Sequence, residues 1–283
     1  MSVGIFIKDL VQTYGGQNCR LDGINLEIRK GEFIAIVGQN GAGKTTLVKH
    51  LNGLLRPDSG SIYVNGSDIS CLTTAQLSQK VGYVFQNPDH QIFMDRVDKE
   101  IAFGPNNLGL SSEEVSARVT KAIDQVGLTD FRSESPLSLS KGQRQRVAFA
   151  SILAMEPEFL ILDEPTTGQD AREAAEIMEL VVGLNQKGHT IIFITHDMQL
   201  VAKYAKRVIL MKQGRILADG TPREVLTKTT LLAESFLKPP QITLLAQAFS
   251  NYGFPEDIIS VEELLEAFQL RNMSNQELLI DAG

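Results

Sequence analysis

The stretch from residue 38 to residue 46, GQNGAGKTT, constrains the fold of this chain more than any other. It has the pattern G-x-x-x-x-G-K-[ST], it follows an apolar run, and a helical pattern begins directly after it. Glycines let backbone N–H groups turn inward, and the following helix points its positive end at the same place, which suits a triphosphate. We expect Lys44 to reach the β- and γ-phosphates and Thr45 to bind Mg²⁺. The predicted nucleotide-binding residues are Gly38, Asn40, Gly41, Gly43, Lys44, Thr45 and Thr46.

Composition narrows the classes of partner. The 283 residues carry a formal net charge of −7, and a pI of about 5.2 argues against a nucleic-acid partner. Cys19 and Cys71 lie in unrelated contexts, which favours two free thiols in a reducing compartment. The first residues lack the features of a signal peptide, and no apolar run is long enough to span a membrane. We therefore expect a cytosolic protein that reaches a membrane only through a partner.

Three further apolar runs end in polar side chains, which are Gln86, Asp163 with Glu164, and His196. The alternation of strands and helices predicts an α/β fold with a mostly parallel sheet, in which these strand ends share one edge with the phosphate loop. Two adjacent acids after a buried strand are costly unless a cation or water chemistry uses them. We therefore assign Asp163 to Mg²⁺ and Glu164 to activation of a water molecule.

Tyr14 lies in a loop ahead of the strand that leads to the phosphate loop. Its ring could stack on adenine, because every base offers a π-face. It could equally be a half-buried structural tyrosine, and spacing alone leaves the two interpretations open.

Residues 97–155 change character and are predicted to form a helical insert. Ser111 with Glu114, and Ser140 with Gln143, have the spacing of capping boxes at two helix starts. The second helix start is either another anion site or an ordinary capped helix. From about residue 225 a small helical appendage follows, in which we identify no chemistry.

The ordered set of motifs resembles the ATP-binding cassette (ABC) ATPases over residues 3–224. Residues 38–46 resemble their phosphate loop, Gln86 the glutamine of their Q-loop, and residues 139–143 (LSKGQ) their LSGGQ motif. Residues 159–164 resemble the Walker B strand with its catalytic glutamate, and residues 168–170 the D-loop. His196 resembles the switch histidine, and Tyr14 matches the adenine-stacking aromatic. The resemblance implies the P-loop NTPase fold of a cassette, with an antiparallel β subdomain and a helical subdomain at about 88–156.

A closer resemblance is to the ATPase subunits of energy-coupling factor (ECF) transporters, which include cobalt- and nickel-uptake ATPases. Residues 86–93 (QNPDHQIF) and 100–110 (EIAFGPNNLGL) carry it. That family also has a C-terminal helical extension involved in dimerisation, which fits residues 225–283 by position. The implied domains are a cassette at 1–224 and a dimerisation extension at 225–283.

The resemblance implies an ATPase that powers uptake of a vitamin or a transition-metal ion from the cytoplasmic face of the cell membrane. Glu164 would polarise the attacking water, His196 would hold the γ-phosphate, and Gln86 would contact Mg²⁺. Residues of the LSGGQ-like helix would complete the ATP site of a second ATPase subunit, head to tail, and these are Ser140, Gly142 and Gln143. That second subunit is either identical or different, and the implied membrane partners are a transmembrane coupling subunit and a substrate-binding subunit. Two positions depart from the family, Lys141 at the first glycine of LSGGQ and Gln169 where leucine is more usual.

Other classes of ABC ATPase fit less well. A DNA-repair ATPase should carry a long coiled-coil insert, and the stretch between Lys44 and Ser140 is too short for one. A translation-type protein should have two cassettes, and a nucleotide sensor should have lost Glu164 or His196. An ATPase of another ABC importer, or a soluble ABC-type ATPase outside transport, remains the alternative.

The segment after Gln86 holds two apolar residues, Ile92 and Phe93, directly after a polar turn. Either the helical insert buries both, or the segment is part of a groove that receives a helix of the membrane partner. The second hypothesis places Gln91 in that groove as a position for charge substitution.

Overall fold

The computed structural model describes residues 2–14 and 18–280, with side chains described except at residues 14, 18, 19 and 272–280. The strands are β1 Val3–Tyr14, β2 Asn18–Arg29, β3 Phe33–Val37, β4 Ser59–Val64, β5 Ser67–Asp68, β6 Val81–Val84, β7 Phe159–Asp163, β8 Thr190–Ile194, β9 Arg207–Lys212 and β10 Arg215–Gly220. The helices are α1 Lys44–Leu51, α2 Thr74–Ser78, α3 Val97–Asn107, α4 Ser112–Gln125, α5 Lys141–Leu153, α6 Ala171–Gln186, α7 Met198–Tyr204, α8 Pro222–Leu226, α9 Thr229–Glu234, α10 Gln241–Ala248 and α11 Val261–Ile280.

A six-stranded sheet in the order β10-β9-β3-β8-β7-β6 forms the centre of the fold. Its strands pair in parallel from β9 to β6, and only β10 runs antiparallel. The strands β3, β7 and β8 are buried along their whole length, as apolar strands covered on both faces must be. The mostly parallel sheet predicted from the sequence is therefore present, and the polar residues that follow β3, β8, β7 and β6 lie along one edge.

A four-stranded antiparallel sheet, in the order β2-β1-β4-β5, covers one face of the central sheet. The β1 and β2 strands are each 12 residues long, and several register shifts interrupt their pairing. Because the apolar alternation breaks at each shift, the sequence pattern alone underestimates the length of both strands.

The opposite face of the central sheet packs against α6 and the helical insert α3–α5. Both predicted capping boxes are formed. Ser111 and Ser140 each accept a hydrogen bond from the backbone N–H three residues later, and the side chains of Glu114 and Gln143 accept in return. These reciprocal bonds fix where α4 and α5 begin.

The C-terminal residues divide between two apolar clusters. Leu226 and Leu232 belong to the main core, whereas Ala246, Phe254, Ile258 and Leu264 form a small cluster of their own. Several apolar side chains of α10 and α11 stay exposed, among them Leu245 and Leu265. Among the described residues, no helix is both long and apolar enough to cross a membrane.

Candidate nucleotide-binding site

The backbone of the phosphate loop requires glycine at two positions. Gly38 has a φ of 152°, and a Cβ there would lie 2.3 Å from the carbonyl oxygen of Met211. Gly43 has a φ of 101°, and its Cβ would lie 2.7 Å from the carbonyl oxygen of Arg20. The loop is thus wedged between β2 and β9, and side chains at these positions would force it open.

Lys44 begins α1 and is buried, with 7% of its surface exposed. Its ammonium donates to the carbonyl oxygens of Gly38 at 2.7 Å and Gln39 at 3.1 Å, so the loop curls around the side chain. Burial lowers the pKa of Lys44, and the nearby carboxylates of Glu164 and Asp163 oppose that shift. A bound phosphate would supply the negative charge that this buried cation lacks.

Three of the predicted strand-end residues, Gln86, Glu164 and His196, line one cleft of about 740 Å³, called here the phosphate-loop cleft. The sheet order explains the convergence, because β8, which precedes His196, pairs with β3, and β7 and β6 follow beside it. The lining residues are Arg20, Gly38, Gln39, Asn40, Gly41, Gly43, Lys44, Thr45, Thr46, Gln86, Glu164, His196, Phe236 and Leu237.

Asp163 is buried behind the cleft residue Thr45 and is held by two hydroxyl groups. The Thr45 hydroxyl donates to its Oδ1 at 3.3 Å, and the Tyr83 hydroxyl donates to its Oδ2 at 2.6 Å. Burial, together with the adjacent Asp163 charge, raises the pKa of Tyr83, so the phenol keeps its proton and stays a donor. A hydroxyl and a carboxylate, side by side at a phosphate site, are oxygen donors of the kind Mg²⁺ takes.

Glu164 is held in a precise position at the carboxyl end of β7. Its backbone has a φ of 48°, a left-handed conformation that is unfavourable for any residue with a Cβ. Its Oε2 accepts from the Gln86 side-chain amide at 2.8 Å and from the Thr167 hydroxyl at 2.9 Å. Its Oε1 lies 3.5 Å from Nδ1 of His196. The sequence placed Gln86 on the metal, but here its amide nitrogen bonds the carboxylate of Glu164, and the metal role stays a prediction.

The residues of the LSGGQ-like helix lie elsewhere. Ser140, Gly142 and Gln143 form the start of α5, and they are absent from the described lining of the phosphate-loop cleft. Gly142 faces α6, because a Cβ there would lie 3.0 Å from the Glu173 carboxylate. The structure therefore brings the phosphate loop, Gln86, Glu164 and His196 to one cleft and keeps these three residues apart from it.

Several residues that line or support the site were not predicted from the sequence. Tyr83 and Thr167 hold the two acids, and Arg20 and Phe236 line the cleft. Phe236 has a φ of 54°, unusual for a bulky residue, and 74% of its surface is exposed. Only Tyr83 carried a local signal, a polar group inside an apolar strand. The side chain of Tyr14 lies outside the described part of the chain, so its role stays a prediction.

The fold and the cleft define a P-loop nucleotide-binding domain with a helical insert between β6 and β7. The sequence model of the ABC transporter family matches residues 21–167, just over half of the chain. The chain therefore belongs to the ABC transporter family, which confirms the resemblance inferred from its motifs and establishes ATP as its class of ligand.

Curated relatives place the chain more closely. It is 46% identical over 246 residues to the energy-coupling factor transporter ATP-binding protein EcfA of Methanocaldococcus jannaschii, covering 86% of this chain and 88% of the relative. It is 50% identical over 258 residues to a putative ABC transporter ATP-binding protein of Caldanaerobacter subterraneus subsp. tengcongensis, covering 91% of this chain. The chain spans only 44% of the length of that second relative. The similarity to the Methanocaldococcus jannaschii protein confirms the predicted resemblance to ECF ATPases.

Solved structures confirm the cassette fold. The structure of cbiO1 from Clostridium perfringens, described as part of the ABC transporter complex cbiONQ, has a TM-score of 0.75 and 38% identity, covering 83% of this chain and 94% of that one. A dimeric structure of the ATP-binding cassette MJ0796 bound to ADP and Pi has a TM-score of 0.70 and 29% identity, covering 77% of this chain and 98% of that one.

Proposed function

We propose that the chain is the ATP-hydrolysing subunit of an ECF-type ABC transporter and powers uptake of a vitamin or a transition-metal ion through a membrane partner. The observation that carries the proposal is the convergence of Lys44, Glu164 and His196 on one cleft. Relatives named as ECF ATP-binding proteins supply the transport context. Residues 1–224 would form the cassette, and residues 225–283 a dimerisation extension. The chain would act at the cytoplasmic face of the membrane, to which its membrane partner would bind it.

Three side chains of the cleft have separate roles in the proposed hydrolysis of ATP. Lys44 binds the β- and γ-phosphates and offsets the charge that develops on them. Glu164 takes a proton from the attacking water through Oε1, which lies 3.5 Å from Nδ1 of His196, while two donors hold Oε2 in place. His196, with 65% of its side chain exposed, can reach the γ-phosphate and orient it.

The oxygen atoms of Thr45 and Asp163 are suitable ligands for Mg²⁺. The side-chain oxygen of Gln86 would be the third ligand that the protein supplies. Mg²⁺ usually takes one or two carboxylates together with substrate phosphates, and when bound it would neutralise phosphate charge. Among the described residues no cluster of acidic, histidine or cysteine side chains could hold a metal alone. The ion would therefore arrive with the nucleotide.

Removing the Tyr83 hydroxyl should raise the Mg²⁺ concentration needed for half-maximal ATP hydrolysis without unfolding the strand. In Tyr83→Phe, Asp163 loses the donor on its Oδ2, and loss of such a supporting bond typically costs about 10–100-fold in metal affinity. The measurement is ATP hydrolysis titrated with Mg²⁺, with Tyr63→Phe as the control. An unchanged half-saturating Mg²⁺ concentration would contradict the role of Asp163.

The start of α5 would act on a second ATPase subunit, identical or different. The dimeric state of the MJ0796 cassette supports pairing of this kind. Ser140, Gly142 and Gln143 sit away from the chain's own cleft, which suits residues that complete an ATP site head to tail. The N–H groups and positive end of α5 would face the γ-phosphate of the partner.

The segment after Gln86 would contact the transmembrane coupling subunit, which itself works beside a substrate-binding subunit. Phe93 is 63% exposed and Phe103 is 41% exposed, and their rings pack edge to face at 4.8 Å. An exposed aromatic pair suits a helix from a membrane partner. Gln91 is a poor position for testing this, because its side chain bonds Ala148, Ser151 and the backbone of Phe85.

Charge placed at Phe93 should stop assembly with the membrane subunits. Phe93→Glu puts a carboxylate where an apolar contact is needed, and we expect steady-state ATP hydrolysis by the purified chain to stay within about twofold, because surface changes away from the cleft rarely disturb the fold. The measurement is recovery of identified membrane subunits with the tagged chain from detergent-solubilised membranes of its host. Leu217→Glu, at an equally apolar exposed position on β10, is the control. Full recovery with Phe93→Glu would place the contact elsewhere.

A further inference from the structure

Lys141 makes a contact that glycine, its counterpart in the LSGGQ motif, has no side chain to make. It is the first residue of α5 and follows the N-cap Ser140. Its ammonium donates to the carbonyl oxygen of Thr167 at 3.0 Å. A Cβ at Gly168 would lie 2.4 Å from that ammonium nitrogen, so the loop after Glu164 is shaped to admit the lysine.

Thr167 links this lysine to Glu164. Its backbone N–H donates to the carbonyl oxygen of Glu164 at 3.2 Å, which closes a tight turn after β7. Its hydroxyl donates to Oε2 of the same glutamate at 2.9 Å. The two ends of Thr167 are therefore both engaged, the carbonyl by Lys141 and the hydroxyl by the Glu164 carboxylate.

We propose that Lys141 is a positioning residue that holds the Glu164 carboxylate in place through Thr167. The inference rests on the proposed function, in which Glu164 activates water. Glu164 needs outside support, because its left-handed backbone (φ 48°) is unfavourable. A charge-assisted hydrogen bond to the Thr167 carbonyl fixes the turn that provides that support.

This contact also joins the two functions of one subunit. In the proposed function, the start of α5 would face the partner's nucleotide, and Glu164 would serve the chain's own cleft. Since Lys141 belongs to α5 and bonds the loop after Glu164, a shift of the helix start displaces the loop that orients the carboxylate. Binding of ATP at one site thereby changes the position of the general base at the other site. The coupling passes through one hydrogen bond, which a glycine at this position could not make.

The first test requires no catalysis. Amide hydrogen exchange is measured on the full-length, nucleotide-free chain carrying Lys141→Met, which keeps the length of the side chain and removes its charge. We expect exchange in the turn that spans Thr167 and Gln169 to accelerate roughly threefold to tenfold, as one exposed charge-assisted bond is lost. Lys187→Met, an exposed lysine at the far end of α6, should leave that turn unchanged. Unaltered exchange in Lys141→Met would overturn the proposal, even if the chain proved inactive as an ATPase.

The second test separates positioning from binding. In steady-state ATP hydrolysis, Lys141→Met should lower kcat roughly tenfold and leave KM for ATP unchanged, because the phosphate loop is untouched. Lys141→Arg should recover most of the rate. In a Thr167→Val background, which lacks the hydroxyl bond to Glu164, Lys141→Met should add little further loss.

The outcomes are distinguishable. Independent, multiplicative effects of the two substitutions on kcat would show that Lys141 does not act through Thr167. A rise in KM with kcat preserved would make Lys141 a binding residue and overturn the positioning role. No hydrolysis by the unaltered chain, in any pairing, would instead defeat the proposed function while the exchange result stood.

Discussion

Glu164→Gln should bind ATP about as tightly as the unaltered chain and hydrolyse it at least about 100-fold more slowly, the lower end of what a general base contributes. The amide oxygen of glutamine can still accept from Gln86 and Thr167, which now bond Oε2 of Glu164. The position is therefore preserved while the capacity to take a proton is lost. In the proposed head-to-tail pairing ATP lies between the two subunits, so an ATP-bound pair should accumulate when that ATP is no longer hydrolysed.

Steady-state phosphate release and size-exclusion chromatography with MgATP measure the two effects. Glu113→Gln, at an exposed position on α4, removes the same charge far from the cleft and should hydrolyse ATP normally. Phosphate release by Glu164→Gln within a few-fold of that control would remove Glu164 from the role of base.

Lys44→Ala should weaken nucleotide binding itself, by at least about 30-fold. Lys44 is the buried cation of the phosphate loop, and truncating one member of a buried charge pair typically costs about 2–5 kcal/mol. Without it, Asp163 and Glu164 would face the phosphates uncompensated, since their charges act on Lys44 in the intact site. Affinity should therefore fall through loss of attraction and through added repulsion.

Calorimetric titration with MgATP measures the change in affinity. Lys49→Ala is the matched control, because this half-buried lysine lies in the last turn of the same helix and is remote from the cleft. Thermal unfolding of both variants checks that α1 is intact. Equal affinities for the two variants would contradict the assignment of Lys44.

The sequence was informative where a function depends on local pattern. The phosphate loop, the two capping boxes and the polar strand ends are each recognised from residues that are neighbours in sequence. The topology of a parallel sheet then brings the strand ends together. That is why the pattern of strands and helices was enough to place Gln86, Glu164 and His196 on one edge of the sheet. The central sheet supplies the convergence that no single segment contains.

The supporting contacts could not be predicted, because they join residues with no shared local signal. Tyr83 reaches Asp163 and Lys141 reaches Thr167 only after the sheet and α5 have packed. The sequence analysis placed Gln91 in the groove as a position for charge substitution, and the contacts that make it a poor position could not be predicted for the same reason. A polar residue after a turn is usually solvated, but here three hydrogen bonds lock it to α5 and to the end of β6.

The order of strands in the central sheet also bears on how the protein is made. The β3 strand pairs Phe33 with Ile191 and Ile34 with Arg207, and Gly38 packs on the backbone of Met211. The strand that carries the phosphate loop therefore has both neighbours far along the chain. Such long-range pairing is slow, and chains emerge from the ribosome N-terminus first. The loop leaves the ribosome early, but its wall on β9 and both sheet neighbours of β3 exist only after residues 190–212 have been synthesised. Nucleotide binding can therefore stabilise the folded cassette only near the end of its synthesis.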